Sequence, residues 1–285
     1  MRRARKPTLR PLPPPSIPYM FFQESNLMRL KNVPALLVIS VVLLTSPLVA
    51  HSGEVLFQYS TIDALLAGDY DGQLTAGNLK KKGNLGLGTF NALDGEMVVL
   101  DGQVYQVKID GKVTLAPDSG KIPFAVVTSF TPKQFVPLKK AGNLQELTQL
   151  LDQALPSKNI FYALRIEGRF SRIVARSVPR QTRPYPPLAI AVEKQAVFNF
   201  TDVEGTILGF RCPASVKGVN VPGYHLHFLT KDRKAGGHVL DCVVENLTVQ
   251  IDPIHHFTLV LPEDKEFYRL DLEKDRSGDL KKVEK

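Results

Sequence analysis

Three of the chain's six histidines fall inside one sixteen-residue stretch, GYHLHFLTKDRKAGGH, over 223–238. Neutral imidazoles are common ligands for transition metals, so the spacing decides whether these three can act together. His225 and His227 are two apart. On a strand both project from one face, with Leu226 and Phe228 on the other. TKDRKAGG then reads as a turn, with Gly236 and Gly237 supplying permissive backbone. A hairpin centred at Asp232 and Arg233 sets residue 227 opposite 238 and residue 225 opposite 240, which brings His238 to the same face. Cross-strand neighbours lie about 5 Å apart, close enough for three imidazoles to converge on one ion. Three protein ligands with open positions is the plan of a catalytic metal site, in which the metal acts as a Lewis acid. Zinc suits it, and so do iron, manganese, cobalt and nickel. An HxH pair alone is more often surface or core histidine, so the third histidine carries the signal. The cupin pattern is excluded, because Thr230 and Lys231 stand where it needs a glutamate. Adjacent His255 and His256 point to opposite faces of a strand and read as structural or surface residues. His51 reads as a mature N-terminus.

The elements that must position these residues are mostly strands. Ser60 or Thr61 caps a short helix over 60–68 that Gly68 ends. The following GDYDGQLTAGNLKKKGNLGLGTF is rich in glycine and reads as turns. Asp101-Gly102 and Asp110-Gly111 then divide 95–116 into three strands, a predicted antiparallel meander. Asn143 caps the clearest helix, with Glu146 at capping-box spacing, a stripe of Leu144, Leu147, Leu151 and Leu155, and Pro156 as its stop. Residues 160–178 alternate as a strand. PRQTRPYPP over 179–187 is a proline-rich boundary, and the chain beyond it reads as β. The pattern predicts an α+β fold of two lobes, with mixed, largely antiparallel sheets and few helices. The lobes would cover 51–180 and 181–285, the second holding the histidines.

Composition narrows the partners. The 285 residues are ordinary for a globular protein, with 44% hydrophobic content and no tryptophan. The net charge of +8 is misplaced for a nucleic-acid binder. Seven cations against Glu24 put +6 before residue 32, residues 32–50 carry no charge, and the remainder is only +2. Residues 1–27 are basic and proline-rich and read as a disordered extension. Residues 28–50 have the layout of a secretory signal peptide: basic Arg29 and Lys31, an apolar run, and Ala50 before a polar start. That run is interrupted by Pro34, Ser40, Thr45 and Pro47 and is short for a membrane span. Cleavage near Ala50 and export to periplasm or medium are the expectation, with no stable membrane partner. Cys212 and Cys242 flank the histidines, either as a disulfide or as two buried thiols.

Several separated motifs together resemble the acetolactate decarboxylases: GDYDG at 68–72, GLGTFNALDGEMVVLDG at 86–102, ARSVPRQ at 175–181 and PGYHLHFLTKDRKAGGHVLD at 222–241. The resemblance spans roughly Val55 to the C-terminus. It implies a zinc ion on His225, His227 and His238, with Glu96, Arg176 and Thr89 at the active site. It also implies a second glutamate from the C-terminal tail, Glu284, with Glu273 as the alternative. The implied reaction takes a 2-hydroxy-3-oxo acid, (S)-2-acetolactate, to (R)-acetoin and CO2, in acetoin and butanediol formation, and the implied assembly is a homodimer. The chemistry agrees with the residues. Loss of CO2 leaves an electron pair that flows onto the neighbouring carbonyl as an enediolate, so an electrophile must sit at that oxygen. Two other readings stand beside it: a different secreted three-histidine enzyme, hydrolase or dioxygenase, and a non-catalytic metal-binding module.

Overall fold

A computed structural model describes residues 55–284. The extension over 1–27, the signal segment over 28–50 and His51 lie outside the described residues. Strand β1 (Val55–Tyr59) leads into helix α1 (Ile62–Leu66), whose first turn is capped by Thr61 accepting from the Ala64 amide at 3.2 Å. The glycine-rich stretch is more regular than expected. It holds β2 (Leu74–Thr75), α2 (Ala76–Lys80) and β3 (Leu85–Thr89). Its glycines serve close strand approach as well as turns: a Cβ on Gly86 would lie 2.3 Å from the Val126 carbonyl oxygen. The predicted meander is present as β4 (Glu96–Leu100), β5 (Gln103–Val107) and β6 (Val113–Leu115). Strands β7 (Lys121–Ile122), β8 (Phe124–Thr128) and β9 (Gln134–Ala141) precede α3 (Leu144–Ala154). Asn143 caps α3 by accepting from the Glu146 amide at 2.8 Å, while the Glu146 carboxylate accepts from the Gly142 amide at 2.7 Å. Then come β10 (Phe161–Ser177), α4 (Leu188–Ala191), β11 (Ala196–Cys212), β12 (Gly223–Thr230), β13 (Gly236–Ile254) and β14 (His256–Val260). Two short helices, α5 (Lys265–Tyr268) and α6 (Ser277–Val283), finish the chain.

The strands form two main sheets. One has the order β14-β1-β8-β3-β4-β5-β6, antiparallel except for the parallel β1–β14 pair. The other has the order β10-β11-β12-β13-β9, and β13 also pairs with β10, which closes four strands on themselves. The fold is therefore α+β and largely antiparallel. Both sheets draw strands from either side of residue 180: β9 and β10 join the second sheet, and β14 returns to the first.

Three buried layers follow from side-chain alternation. Leu85, Leu87, Val98, Leu100, Phe124 and Val126 of the first sheet face Leu208, Phe210 and Leu229 of the second in a shared core. The far side of the first sheet buries Met97, Val99, Ala125 and Val127 against Ala76 and Leu79 of α2. The far side of the second buries Leu164, Ile173, Leu226 and Phe228 under Leu147 and Leu151 of α3. Cys212 and Cys242 are free and buried in different cores, and burial pushes both thiols up to about 12. Among the described residues no helix is long and apolar enough to cross a membrane.

Candidate active site

Strand parity aims the polar residues into the layer between the sheets. On β12, Leu226 and Phe228 point to the α3 side, so His225 and His227 point to the shared core. On β10, Ile173 and Ala175 take the α3 side, leaving Arg176 on the other. On the first sheet, Thr89 shares a face with Leu85 and Leu87, and Glu96 shares one with Val98 and Leu100. Thr89 and Glu96 are register partners between β3 and β4, as Arg176 and His238 are between β10 and β13.

His238 needs one further device. β12 and β13 pair as 227 with 238, 228 with 237 and 229 with 236. The pairing goes no further, so residue 240 does not stand opposite His225. The β10–β13 register shifts there: Val174 faces Asp241 and Ala175 faces Val239, leaving Leu240 as a bulge. The bulge reverses parity, so Cys242 and Val244 point to the α3 core while His238 points to the shared one. Gly237, at φ 145°, makes room for it, because a Cβ there would lie 2.4 Å from the Arg176 carbonyl oxygen.

The three imidazoles converge. Their ring centroids are 5.0 to 5.3 Å apart, and one nitrogen from each lies within 4.8 Å of the others. His227 and His238 are 1% and 2% exposed, and His225 is 9% exposed. Burial holds all three well below the usual histidine range, His225 at about 3, and the Arg176 charge acts in the same direction. They are therefore neutral at pH 7, the form a metal ion requires of imidazole. His227 Nδ1 is 2.8 Å from the Met97 carbonyl oxygen. A carbonyl can only accept, so Nδ1 carries the proton and the Nε2 lone pair faces the centre. His227 Nε2 and His225 Nδ1 are buried without hydrogen-bond partners. Buried polar atoms are seldom left so, and orphaned nitrogens on converging neutral rings fit a divalent transition-metal ion.

Carboxylates and a guanidinium flank the rings. Arg176 Nη1 donates to Glu96 Oε1 at 2.8 Å, and Glu96 Oε2 lies 3.6 Å from His227 Nε2. Glu284 Oε2 lies 3.7 Å from His238 Nε2. Burial pushes Glu96 up to about 7, opposed by Arg176 and reinforced by Glu284. Burial likewise pushes Glu284 up to about 7, again opposed by Arg176. Arg176 Nη2 donates to the Val283 carbonyl at 3.2 Å, which ties the tail to the site, while its Nε is buried without an acceptor. Thr89 lines the same cavity, its hydroxyl donating to the Gly95 carbonyl at 2.7 Å. The structure thus brings His225, His227, His238, Glu96, Arg176, Thr89 and Glu284 around one cavity of about 40 Å³. Glu273 is exposed on the tail and stands outside it. His255 and His256 are exposed, His255 between β13 and β14 and His256 at the start of β14.

Sequence reasoning missed the apolar wall, made by Ile62, Leu65, Leu93, Phe124, Leu188 and Val283. These residues come from five separated segments and carry no mark distinguishing them from core. It also missed the Met97 carbonyl, because a backbone acceptor leaves no trace in residue type. GDYDG proves to be a brace. The Ala92 amide donates to the Tyr70 carbonyl at 2.7 Å, and Gly72 and Asn91 exchange two hydrogen bonds of 2.9 and 3.1 Å. They hold the β3–β4 loop, where Ala92 and Leu93 take positive φ of 60° and 54°, against the site.

Neutral histidines, a buried carboxylate–guanidinium pair and a second carboxylate share one cavity, an arrangement that could hold a metal ion and handle protons beside it. The comparisons agree on the family. The alpha-acetolactate decarboxylase family model matches residues 56–274. An alpha-acetolactate decarboxylase of Methanosarcina mazei is 52% identical over 237 residues, 82% of each chain. That of Brevibacillus brevis is 46% identical over 219 residues, 77% of each chain. The crystal structure of alpha-acetolactate decarboxylase from Bacillus subtilis superposes with a TM-score of 0.78 at 39% identity, covering 81% of this chain and 99% of that one. The chain belongs to the alpha-acetolactate decarboxylase family.

Proposed function

We propose that the chain decarboxylates (S)-2-acetolactate to (R)-acetoin and CO2, in acetoin and butanediol formation. The observation that carries the reading is the convergence of three buried, neutral imidazoles beside the Glu96–Arg176 pair. His225, His227 and His238 would hold a divalent ion, zinc in our reading, which would supply positive charge for substrate oxygens on which electrons collect. Arg176 holds the substrate carboxylate or the developing enediolate through its unused Nε–H, and its neighbour Glu96 keeps it oriented. When the C–C bond to CO2 breaks, the electron pair passes to the adjacent carbonyl, and the same carbon must then take up a proton. Glu96, with a carboxyl held near neutrality, donates it from one face and sets the chirality of acetoin. Glu284 is the second proton-handling group, carried by the tail that covers the cavity. Thr89 shapes the wall beside Glu96. Water exclusion by the apolar wall strengthens each charge interaction.

The reading extends to a homodimer, as the family resemblance implies, and to export, supported by the layout of residues 28–50. It is tested by acetoin formation from racemic acetolactate with the purified chain, before and after chelation and after zinc is added back. Turnover lost on chelation and restored by zinc is the expected result. Metal binding without acetoin would favour the other readings, and a panel of esters and of oxygen-dependent substrates separates those.

A further inference from the structure

The first four residues of GDYDG also line a second cavity. About 570 Å³ opens between Gly68–Asp71, the 183–185 segment and the C-terminal α5 region, within the usual size of small-molecule sites. Three carboxylates (Asp69, Asp71 and Glu266) and one guanidinium (Arg183) line it. The guanidinium is already committed: Arg183 Nε and Nη2 lie 3.1 and 2.7 Å from Asp71 Oδ2, and the Tyr185 hydroxyl is 3.1 Å from both Asp71 oxygens. Asp69 differs. It is only 9% exposed, lines the cavity, and among the described residues its carboxylate accepts no hydrogen bond and forms no ion pair. Burial, with Asp264, Asp71 and Glu266 nearby, pushes it up to about 6. Buried carboxylates are ordinarily paired, so this one is shaped for a positive charge from outside.

The kind of cation follows from the walls. Among the described residues only the three active-site histidines converge closely enough to hold a metal ion, so the carboxylates here are spread rather than clustered. Leu270, Ala67, Pro184 and the Tyr185 ring give apolar sides. We propose that this cleft binds an organic cation, an ammonium or guanidinium head on a short aliphatic stem, with Asp69 as its counter-ion and Glu266 at the rim. The cation belongs either to a free amine or to a lysine or arginine side chain of a second copy. The proposal is independent of the decarboxylase reading.

The test is saturation-transfer NMR titration of n-butylammonium chloride against the full chain at constant ionic strength and pH 7.5. Saturable millimolar binding is expected. It should weaken at least about tenfold in Asp69→Asn and about two- to threefold in Glu266→Gln, at an exposed rim position. Neither change touches the decarboxylation site, so acetoin formation should be unaltered. Sedimentation velocity then separates the sources. If the probe and Asp69→Asn both dissociate an assembly, the natural cation is a side chain of another copy; if assembly is unchanged, it is a free amine. Absent or non-saturable binding, or equal binding by Asp69→Asn, overturns the proposal. Micromolar calcium binding that displaces the probe also overturns it, in favour of a metal site.

Discussion

At the scale of single residues, the site depends on groups whose protonation is set by burial rather than by type. Glu96 is 7% exposed and carries a hydrogen bond from Arg176, yet desolvation dominates and raises its carboxyl to about 7. If it is the proton donor, Glu96→Gln should lower kcat by about 10² to 10⁴ while leaving zinc content unchanged, read by atomic absorption beside steady-state kinetics. Arg176→Lys should cost about tenfold or more in kcat/KM, because an ammonium cannot serve Glu96, the Val283 carbonyl and a substrate oxygen from one planar fork. Asp69 gives a stability prediction with a definite sign. A carboxyl raised in the folded state contributes stability that is complete below its unfolded pKa and is lost as pH rises through about 6. Asp69→Asn should therefore match the parent below about pH 4. At pH 8 it should exceed the parent by on the order of 1–2 kcal/mol, a figure reduced for water at the cleft mouth. Urea unfolding at the two pH values measures it, and a variant less stable than the parent at pH 8 would sink the argument.

At the scale of elements, the β13 bulge and the tail helix decide whether the residues meet. Gly237→Ala puts a Cβ 2.4 Å from a β10 carbonyl at a positive φ, which shifts the strand that carries His238. The expected outcome is zinc affinity reduced by at least about tenfold, as for loss of ligand orientation, with the far-UV circular dichroism of both sheets kept. The α6 segment contributes Leu280 and Val283 to the shared core and places Glu284 at His238. Truncation after Leu272 should lower turnover by about 10² or more but leave the sheets folded and the histidine site able to take up metal. These elements differ in how far the sequence announces them. The meander and α3 were legible because turn dipeptides and a capped leucine stripe are local signals. The helix α2 and strand β3 were hidden, because their glycines suggested turns while Gly77 of α2 serves close approach to Asp118 and Gly86 and Gly88 of β3 serve close contact with β8. The bulge at Leu240 has no local signature, and it overrode the simple hairpin register.

At the scale of the whole molecule, the metal would clamp two sheets to each other. His225, His227 and His238 belong to the second sheet, and the Met97 carbonyl that holds His227 belongs to the first. Metal bound to the folded chain alone raises stability by about 2.7 kcal/mol at a hundredfold excess over Kd. In differential scanning calorimetry, stripping zinc should lower the melting temperature by roughly 5–10 °C for a domain of this size, with recovery on adding zinc back. A transition unmoved by complete stripping would mean that the histidines do not couple metal to the fold.

What the sequence determined by itself was which residues were candidates for the site, the histidines by their spacing and Glu96 and Arg176 through the family resemblance. Two histidines two apart, a third across a glycine turn, and separated motifs around Glu96 and Arg176 are chemical facts that survive without coordinates. The period-2 alternation of β12 also fixed that His225 and His227 share a face, whereas on β10 the parity of Leu164, Ile166 and Phe170 changes before Ile173 and Ala175, which only the fold shows. Only the tertiary structure decided that these faces oppose each other across one closed layer, and that Glu284 rather than Glu273 reaches it. It also decided that Cys212 and Cys242 lie in separate cores. The physical reason is range. Caps, turns and alternation act over a few residues and are written locally. The site joins Thr89, Glu96, Arg176, His238 and Glu284 across nearly the whole described chain, and distances set by long-range strand pairing and a bulge have no local signature.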